Sequence, residues 1–94
     1  MQPCVYILAN RRNGTLYVGV TSDLSRRVSE HKAEVTDGFT KRYGLHTLVY
    51  AEFHTTMAEA ILREKRIKNW RRAWKITLIE QSNPAWRDLC DEIG

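Results

Sequence analysis

Two tyrosines, an arginine and a histidine near the start of the chain are residue types that can act on a phosphate group. Tyr6 and Tyr17 each lie in a short apolar stretch. Arg27 and His31 follow, four residues apart, in a segment with helical periodicity. Residues with this spacing lie on one side of a helix, so the guanidinium and the imidazole are expected together. The set contains no metal ligand, which has to come from elsewhere in the chain.

Two short strands are predicted to position the tyrosines. Residues 5–8 form an apolar run, and residues 15–20 form a second one. The turn between them contains an Asn-Gly pair, which favours positive φ, so the two strands are expected to form a hairpin. Gly19 lies within the second strand, where the absent side chain lets another part of the backbone or a ligand come close.

A helix is predicted to position Arg27 and His31. Thr21, Ser22 and Asp23 are all possible N-caps, and the helix is expected to end near Lys32 or Val35. Its apolar face is formed by residues at helical spacing, which are Leu24, Val28, His31 and Val35.

The second half of the chain is predicted to add one strand and three helices. Residues 34–44 indicate a loop with one helical turn near its end, and residues 47–54 indicate a third strand. A helix capped by Thr55 or Thr56 is expected to run to Arg71, with another from Trp74 to Ile79 after a break near Arg72. Pro84 favours the start of a last helix over 84–93.

One acidic residue stands out in the helix after the third strand. At 100° per residue, Glu64 falls on the same side as Ala60, Ile67 and Arg71. An unpaired buried carboxylate costs several kcal/mol, so Glu64 requires a cation or a set of hydrogen bonds.

The charge distribution favours a polyanionic partner. The chain has a net charge of +4 and a pI near 9.3. Residues 63–75 carry seven basic residues against one acid, whereas acids dominate from Glu80 onward. This pattern indicates a cationic face, although a solvated helix remains an alternative. Three tryptophans near this segment, Trp70, Trp74 and Trp86, could stack on bases, but core packing is favoured for them.

Length and composition predict a single soluble domain over residues 1–94. Cys4 and Cys90 lie at opposite ends, and the three histidines are scattered, which argues against a zinc site and a disulfide-rich scaffold. One bridge between the two cysteines stays open. No signal peptide or membrane-spanning stretch is recognised, so a cytoplasmic location and no membrane partner are expected.

These residues together resemble the GIY-YIG nuclease family. The resemblance covers about residues 3–80 and is strongest to small stand-alone bacterial members, which are similar to the nuclease domain of the excision-repair protein UvrC. It implies an α/β (α+β) fold with a small three-stranded antiparallel sheet flanked by helices. Tyr6 and Tyr17 match the tyrosines of the two motifs, and Gly19 matches the closing glycine. The chain departs from the family in having Cys4-Val5 before Tyr6, and Asn83 is the nearest candidate for the family's C-terminal asparagine.

The resemblance also implies roles in a metal-assisted phosphodiesterase. Arg27 and His31 match the family's helix residues, and Glu64 matches its single metal-binding glutamate. One carboxylate suffices for Mg²⁺ or Mn²⁺, which keep several waters. Tyr6 or Tyr17 would take the proton of the attacking water, with Tyr17 preferred. Substrate contacts are expected from Gly19, Lys65, Lys68 and Arg72.

Three functions compete at this point. The first is an endonuclease, directed to a DNA structure or to damage, with DNA favoured over RNA. The second is a nucleic-acid-binding module of the same fold with weak catalysis. The third is an interaction domain whose basic helix docks an acidic protein. The five residues matching the nuclease pattern favour the first.

Overall fold

A computed structural model describes residues 2–33 and 42–92, with three strands and three α-helices among them. The strands are β1 (Cys4–Ala9), β2 (Leu16–Thr21) and β3 (Thr47–Phe53). They form one antiparallel sheet in the order β2-β1-β3. The predicted α+β class and three-stranded sheet are therefore confirmed.

The helices begin and end close to the positions that the sequence predicts. They are α1 (Leu24–Lys32), α2 (Met57–Lys68) and α3 (Arg72–Ser82). Asp23 is the cap of α1, since its side chain accepts a hydrogen bond from Arg26 N, and Thr56 caps α2 in the same way through Glu59 N. Because α2 ends at Lys68, Arg71 lies outside it and is not part of its buried face, contrary to the prediction.

Strand β1 lies at the centre of the molecule because it pairs with both other strands. All six of its residues are buried, and they alternate between two cores, as the two-residue period of a strand requires. Val5, Ile7 and Ala9 pack with α2 and α3 in one core, while Cys4, Tyr6 and Leu8 pack with α1 in the other. Tyr6 is thereby placed on the α1 side of the sheet.

The helix predicted over 84–93 is wrong for the residues that are described. Leu89–Glu92 form one 3₁₀ turn, and a loop precedes it. Asn83 organises this loop: its side-chain Nδ2 donates to Val49 O and Arg87 O, and its Oδ1 accepts from Arg87 N. Trp86, at a φ of 56°, turns its ring into the core. These contacts hold the backbone in a non-helical path despite the favourable proline.

A few further predictions can be compared with the structure. Cys4 and Cys90 are both free. Val35, Ile93 and nearly all of the loop predicted over 34–44 lie outside the described residues. Among the residues described, no helix has the length and apolar character needed to cross a membrane.

Candidate active site

The hydroxyl group of Tyr6, on β1, contacts two side chains of α1. The Tyr6 residue is 0% exposed. Arg27 Nε donates to the hydroxyl oxygen at 3.3 Å, and His31 Nε2 lies 3.2 Å from the same oxygen. Because Arg27 donates to this oxygen, the hydroxyl proton can be directed towards His31. The i,i+4 pair that the sequence singled out therefore converges on the first motif tyrosine.

Gly19 makes room for the ring of Tyr6. The two residues are directly opposite in the β1–β2 ladder. A Cβ atom on Gly19 would lie 2.4 Å from Tyr6 Cζ and 2.5 Å from its hydroxyl oxygen. The predicted close approach is therefore made by a side chain of the protein itself. The absence of a side chain at Gly19 thus leaves room for the Tyr6 ring, and the predicted substrate contact of Gly19 stays a prediction.

Tyr17 completes a cluster of three rings. Its ring centroid lies 5.6 Å from that of His31 and 6.3 Å from that of Tyr6. Unlike Tyr6, Tyr17 retains exposed surface. It borders a cavity of about 270 Å³, here called the Tyr17 cavity, whose lining residues are Leu16, Tyr17, Val18, Lys68 and Lys75. We refer to Tyr6, Tyr17, Arg27 and His31 together as the tyrosine cluster.

The charge of Arg27 is only loosely balanced within this cluster. Its Nη1 lies 3.3 Å from Glu30 Oε1, and Glu30 also contacts Arg26 at 3.3 Å. The hydrogen bond to Tyr6 is the largest influence on Arg27 and raises its pKa further above the usual value. Arg27 therefore remains a cation beside two tyrosines, as a phosphate-binding residue should.

Glu64 lies on α2 and is only 8% exposed, as its alignment with Ala60 and Ile67 predicted. The cation that this carboxylate requires is Lys68, whose Nζ lies 2.7 Å from Oε2. Lys68 also borders the Tyr17 cavity. The contacts thus join Tyr6, Tyr17, Arg27 and His31 directly, whereas the relation of Glu64 to them is that its partner Lys68 borders the same cavity as Tyr17.

The surroundings of Glu64 are compatible with a divalent cation. Its Lys68 partner has a flexible side chain that is 51% exposed and can leave the carboxylate. Within the described ranges, no three or more His, Cys, Asp or Glu residues come together as a metal site. A single carboxylate suits Mg²⁺ or Mn²⁺, which bind few protein ligands and keep several waters, better than it suits zinc.

The residues predicted to bind substrate have different surroundings. Lys65 is exposed on α2, and Lys68 reaches the Tyr17 cavity. Arg72, however, donates from Nη2 to the carbonyl oxygens of Asn13 and Gly14, at 2.7 and 2.5 Å. Its guanidinium ties α3 to the hairpin turn, so any substrate contact would have to compete with these bonds. Lys75 belongs to the basic segment 63–75 but was not predicted to bind substrate, and it lines the Tyr17 cavity.

A second polar cluster, which the sequence analysis missed, joins β3 to α2. Glu52 accepts hydrogen bonds from Tyr50 OH and His54 Nε2, both at 2.5 Å, and from Arg63 Nε at 2.9 Å. Burial is the largest single influence on Glu52 and raises its pKa, but the bonds from Arg63, Tyr50 and His54 together lower it below the usual value. Burial, followed by the bond to Glu52, raises the pKa of Tyr50. We call these four residues the Glu52 cluster.

The three-stranded fold, together with the contacts of Arg27 and His31 with the buried Tyr6, is typical of one class of protein, and comparisons with known proteins identify that class. Residues 2–77 match the family described as the GIY-YIG catalytic domain, and the chain belongs to this family. Membership implies nuclease activity and a nucleic-acid substrate.

Within that family, the chain is similar to proteins named UPF0213. One from Staphylococcus epidermidis is 36% identical over 77 residues, which cover 82% of this chain and 93% of that protein. Another from Staphylococcus aureus is 39% identical over 70 residues, covering 73% and 84% respectively. The solution NMR structure of a UPF0213 protein from Bacillus halodurans matches with a TM-score of 0.58 and 27% identity, covering 94% of this chain and 93% of that one.

Proposed function

We propose that this protein is a Mg²⁺- or Mn²⁺-dependent endonuclease that hydrolyses phosphodiester bonds in DNA. The observation that carries the proposal is the convergence of Arg27 and His31 on Tyr6, next to the accessible ring of Tyr17. A phosphodiester placed at the Tyr17 cavity would meet Tyr17 and the ammonium groups of Lys68 and Lys75. Tyr17 packs against the rings of Tyr6 and His31, and Tyr6 contacts Arg27. The proposal includes a preference for particular DNA structures or damage, and a cytoplasmic location.

Each residue of the tyrosine cluster has a part in this proposal. Arg27 pairs with the phosphoryl oxygens, whose charge grows in the transition state. Tyr17, which has exposed surface, takes the proton of the attacking water. Tyr6 is fully buried, so its part is to fix Arg27 and His31 through its hydroxyl group. His31 lies against both rings and holds them in place.

Glu64 would hold the metal ion. A bound divalent ion supplies Lewis-acid stabilisation at a phosphate oxygen and at the leaving oxygen. For Glu64 to take this part, Lys68 has to release the carboxylate and turn into the Tyr17 cavity, where it can contact phosphate. The Glu64–Lys68 pair thus accounts for the buried position of this carboxylate.

Plasmid nicking tests the proposal. Supercoiled DNA is incubated with the protein in Mg²⁺, in Mn²⁺ or in EDTA, and wild type is compared with Tyr17→Phe and Glu64→Gln. We expect nicking with either metal, none in EDTA, and a large loss in both variants. Nicking that persists in EDTA would refute metal dependence. Salt-dependent binding to DNA without cleavage under any of these conditions would favour the alternative of a binding module with weak catalysis.

A further inference from the structure

A groove lined by two tryptophans lies on α3, outside the tyrosine cluster. Trp70 and Trp74 are in edge-to-face contact, with ring centroids 6.2 Å apart and an interplanar angle of 79°. They line an open groove of about 210 Å³, here called the indole groove, together with Thr77, Leu78 and Gln81. Trp74 lies on α3 and is exposed, whereas Trp70 lies between α2 and α3 and is half-buried.

Core packing accounts for Trp86 and in part for Trp70, which is half-buried against the same core. Trp86 is 6% exposed, packs in the core with α2 and α3, and donates from Nε1 to Glu80 Oε2 at 2.7 Å. Trp74 is 54% exposed. The expectation of core packing is thus correct for Trp86 and wrong for Trp74. An exposed indole gives little to folding, so its contribution is sought in binding.

An arginine guanidinium lies beside each tryptophan ring of the indole groove. The guanidinium of Arg71 lies 5.6 Å from the Trp74 ring centroid, and that of Arg63 lies 5.1 Å from the Trp70 centroid. Arg63 is itself fixed by Glu52, which holds this wall of the groove in place. Aromatic rings alternating with cations are the arrangement by which proteins bind single strands, since bases stack on the rings and phosphates pair with the cations.

We propose that the indole groove binds unpaired nucleobases of single-stranded nucleic acid. The inference rests on the proposed function, because it assigns a substrate feature to the same enzyme. The positive charge of Arg71 beside Trp74 matches the phosphates of such a strand and would repel the same patch on a second copy of the chain. A groove of this size also suits flat rings better than a helix of a partner protein.

The position of the groove gives it a use in substrate choice. Trp74 and Lys75 are consecutive residues of α3, and Lys75 lines the Tyr17 cavity. One helix therefore borders both sites. A strand with an unpaired base on Trp74 would lie along the helix that also borders the Tyr17 cavity, so the enzyme would favour substrates with unpaired bases near the cleaved bond, such as flaps, bubbles or damaged duplexes.

Binding in EDTA, where no cleavage is expected, tests the groove apart from catalysis. A fluorescein-labelled single-stranded 12-mer is titrated by anisotropy with wild type, Trp74→Ala and Phe53→Ala. Phe53 is the matched control, because it is an aromatic residue of similar exposure, 51%, on β3. We expect Trp74→Ala to weaken binding about 5- to 150-fold and Phe53→Ala to leave it unchanged. Equal affinities of wild type and Trp74→Ala would overturn the proposal.

An abasic strand of the same length and charge separates stacking from phosphate contacts. Wild type should bind this strand more weakly than the 12-mer, and Trp74→Ala should cause little further loss. An equal loss on both strands would show that Trp74 does not read bases and would refute the groove as a base-binding site. Poly-glutamate is the third ligand: Trp74-dependent binding to it would assign the groove to acidic peptides instead. If binding follows these expectations but the protein never nicks DNA, the proposed nuclease activity is refuted and the base-binding groove is not.

Discussion

The tyrosine cluster and the Glu52 cluster are built from similar residues on different parts of the sheet. Each contains tyrosine, a histidine and an arginine brought together by a strand and a helix. In the Glu52 cluster a carboxylate lies at the centre and accepts three hydrogen bonds of 2.5–2.9 Å. In the tyrosine cluster the centre is the hydroxyl group of Tyr6, and the carboxylate that contacts Arg27 among the described residues, that of Glu30, lies at the edge at 3.3 Å.

This difference separates a structural cluster from a candidate active site. Glu52 neutralises Arg63 and joins β3 to α2, so an added anion would have to displace the Glu52 carboxylate in order to pair with Arg63. Arg27 contacts the hydroxyl group of Tyr6, and its contact with the Glu30 carboxylate is longer than the Arg63–Glu52 contact, so Arg27 is better placed to pair with an added anion. Residue types alone therefore do not indicate a site. The position of the carboxylate decides whether the cluster binds an external anion.

The largest effect that the comparison predicts is on turnover after loss of Arg27. Arg27→Ala should lower the single-turnover cleavage rate by ~10²–10³, about 3–4 kcal/mol, because one charge-stabilising donor is removed. Arg27→Lys should be impaired as well, since an ammonium group cannot make a bidentate contact. Arg26→Ala is the control, because Arg26 shares the Glu30 partner but is exposed. Equal rates for Arg27→Ala and Arg26→Ala would remove the distinction between the clusters.

Loss of the central carboxylate should act on stability in the other cluster. Glu52→Gln weakens charged hydrogen bonds from Arg63 and His54 and should lower the free energy of unfolding by about 1.5–3 kcal/mol. Urea denaturation measures this change. Glu30→Gln is the matched variant in the tyrosine cluster and should cost under about 1 kcal/mol, since its pairs are partly exposed. Similar costs for the two variants would contradict the assigned roles.

Gly19→Ala tests whether the tyrosine cluster depends on the space that Gly19 leaves for the Tyr6 ring. The added methyl group would meet the Tyr6 ring at 2.4 Å, and forcing an extra carbon into a packed site costs about 1–3 kcal/mol. Thermal melts should show this loss, and the cleavage rate should fall because Arg27 and His31 lose their common partner. In a double-mutant cycle, Gly19→Ala should lower the free energy of unfolding less in the Tyr6→Leu background than in wild type. Strict additivity would show that the clash involves something other than the Tyr6 ring.

The smallest expected effect is in the acid range. The pKa of Glu52 is lower in the folded state, so its contribution to stability is complete above the ordinary pKa of 4.5 and is lost as the pH falls through the folded value. Between pH 5 and pH 3, the melting temperature of Glu52→Gln should therefore fall less steeply than that of wild type. Asp88, whose pKa is also lowered, supplies acid sensitivity common to both proteins. Parallel curves would assign the acid sensitivity to other groups.

Local sequence signals predicted the elements and much of the candidate site. The apolar run of β1, the candidate caps of α1 and α2, and the Arg27–His31 spacing depend on residues close together in the chain, and each was found as expected. The buried position of Glu64 followed from helical periodicity, and Lys68 is its neighbour at i+4. The grouping of Tyr6, Tyr17, Arg27 and His31 in one site came from the family resemblance rather than from periodicity.

The features that were missed depend on contacts between distant segments. Arg63 meets Glu52 only once α2 packs on β3, and no local pattern fixes that pairing. The C-terminal helix was predicted from Pro84, but the Asn83 bond to Val49 O, across 34 residues, holds the backbone elsewhere. Trp74 was assigned to the core because large apolar residues usually lie there. Its exposure follows from the rotation of α3 about its axis, which the sequence left open.

The central position of β1 has a consequence for synthesis on the ribosome. The strand that is made first pairs on one edge with β2 within a few residues, but its other edge waits for β3, some forty residues later. At roughly 5–20 residues per second, the nascent hairpin spends seconds with an apolar, unpaired edge, the kind of surface that joins edge to edge with other chains. Early shielding of this hairpin by a chaperone or by the ribosome surface should therefore govern the yield of folded protein.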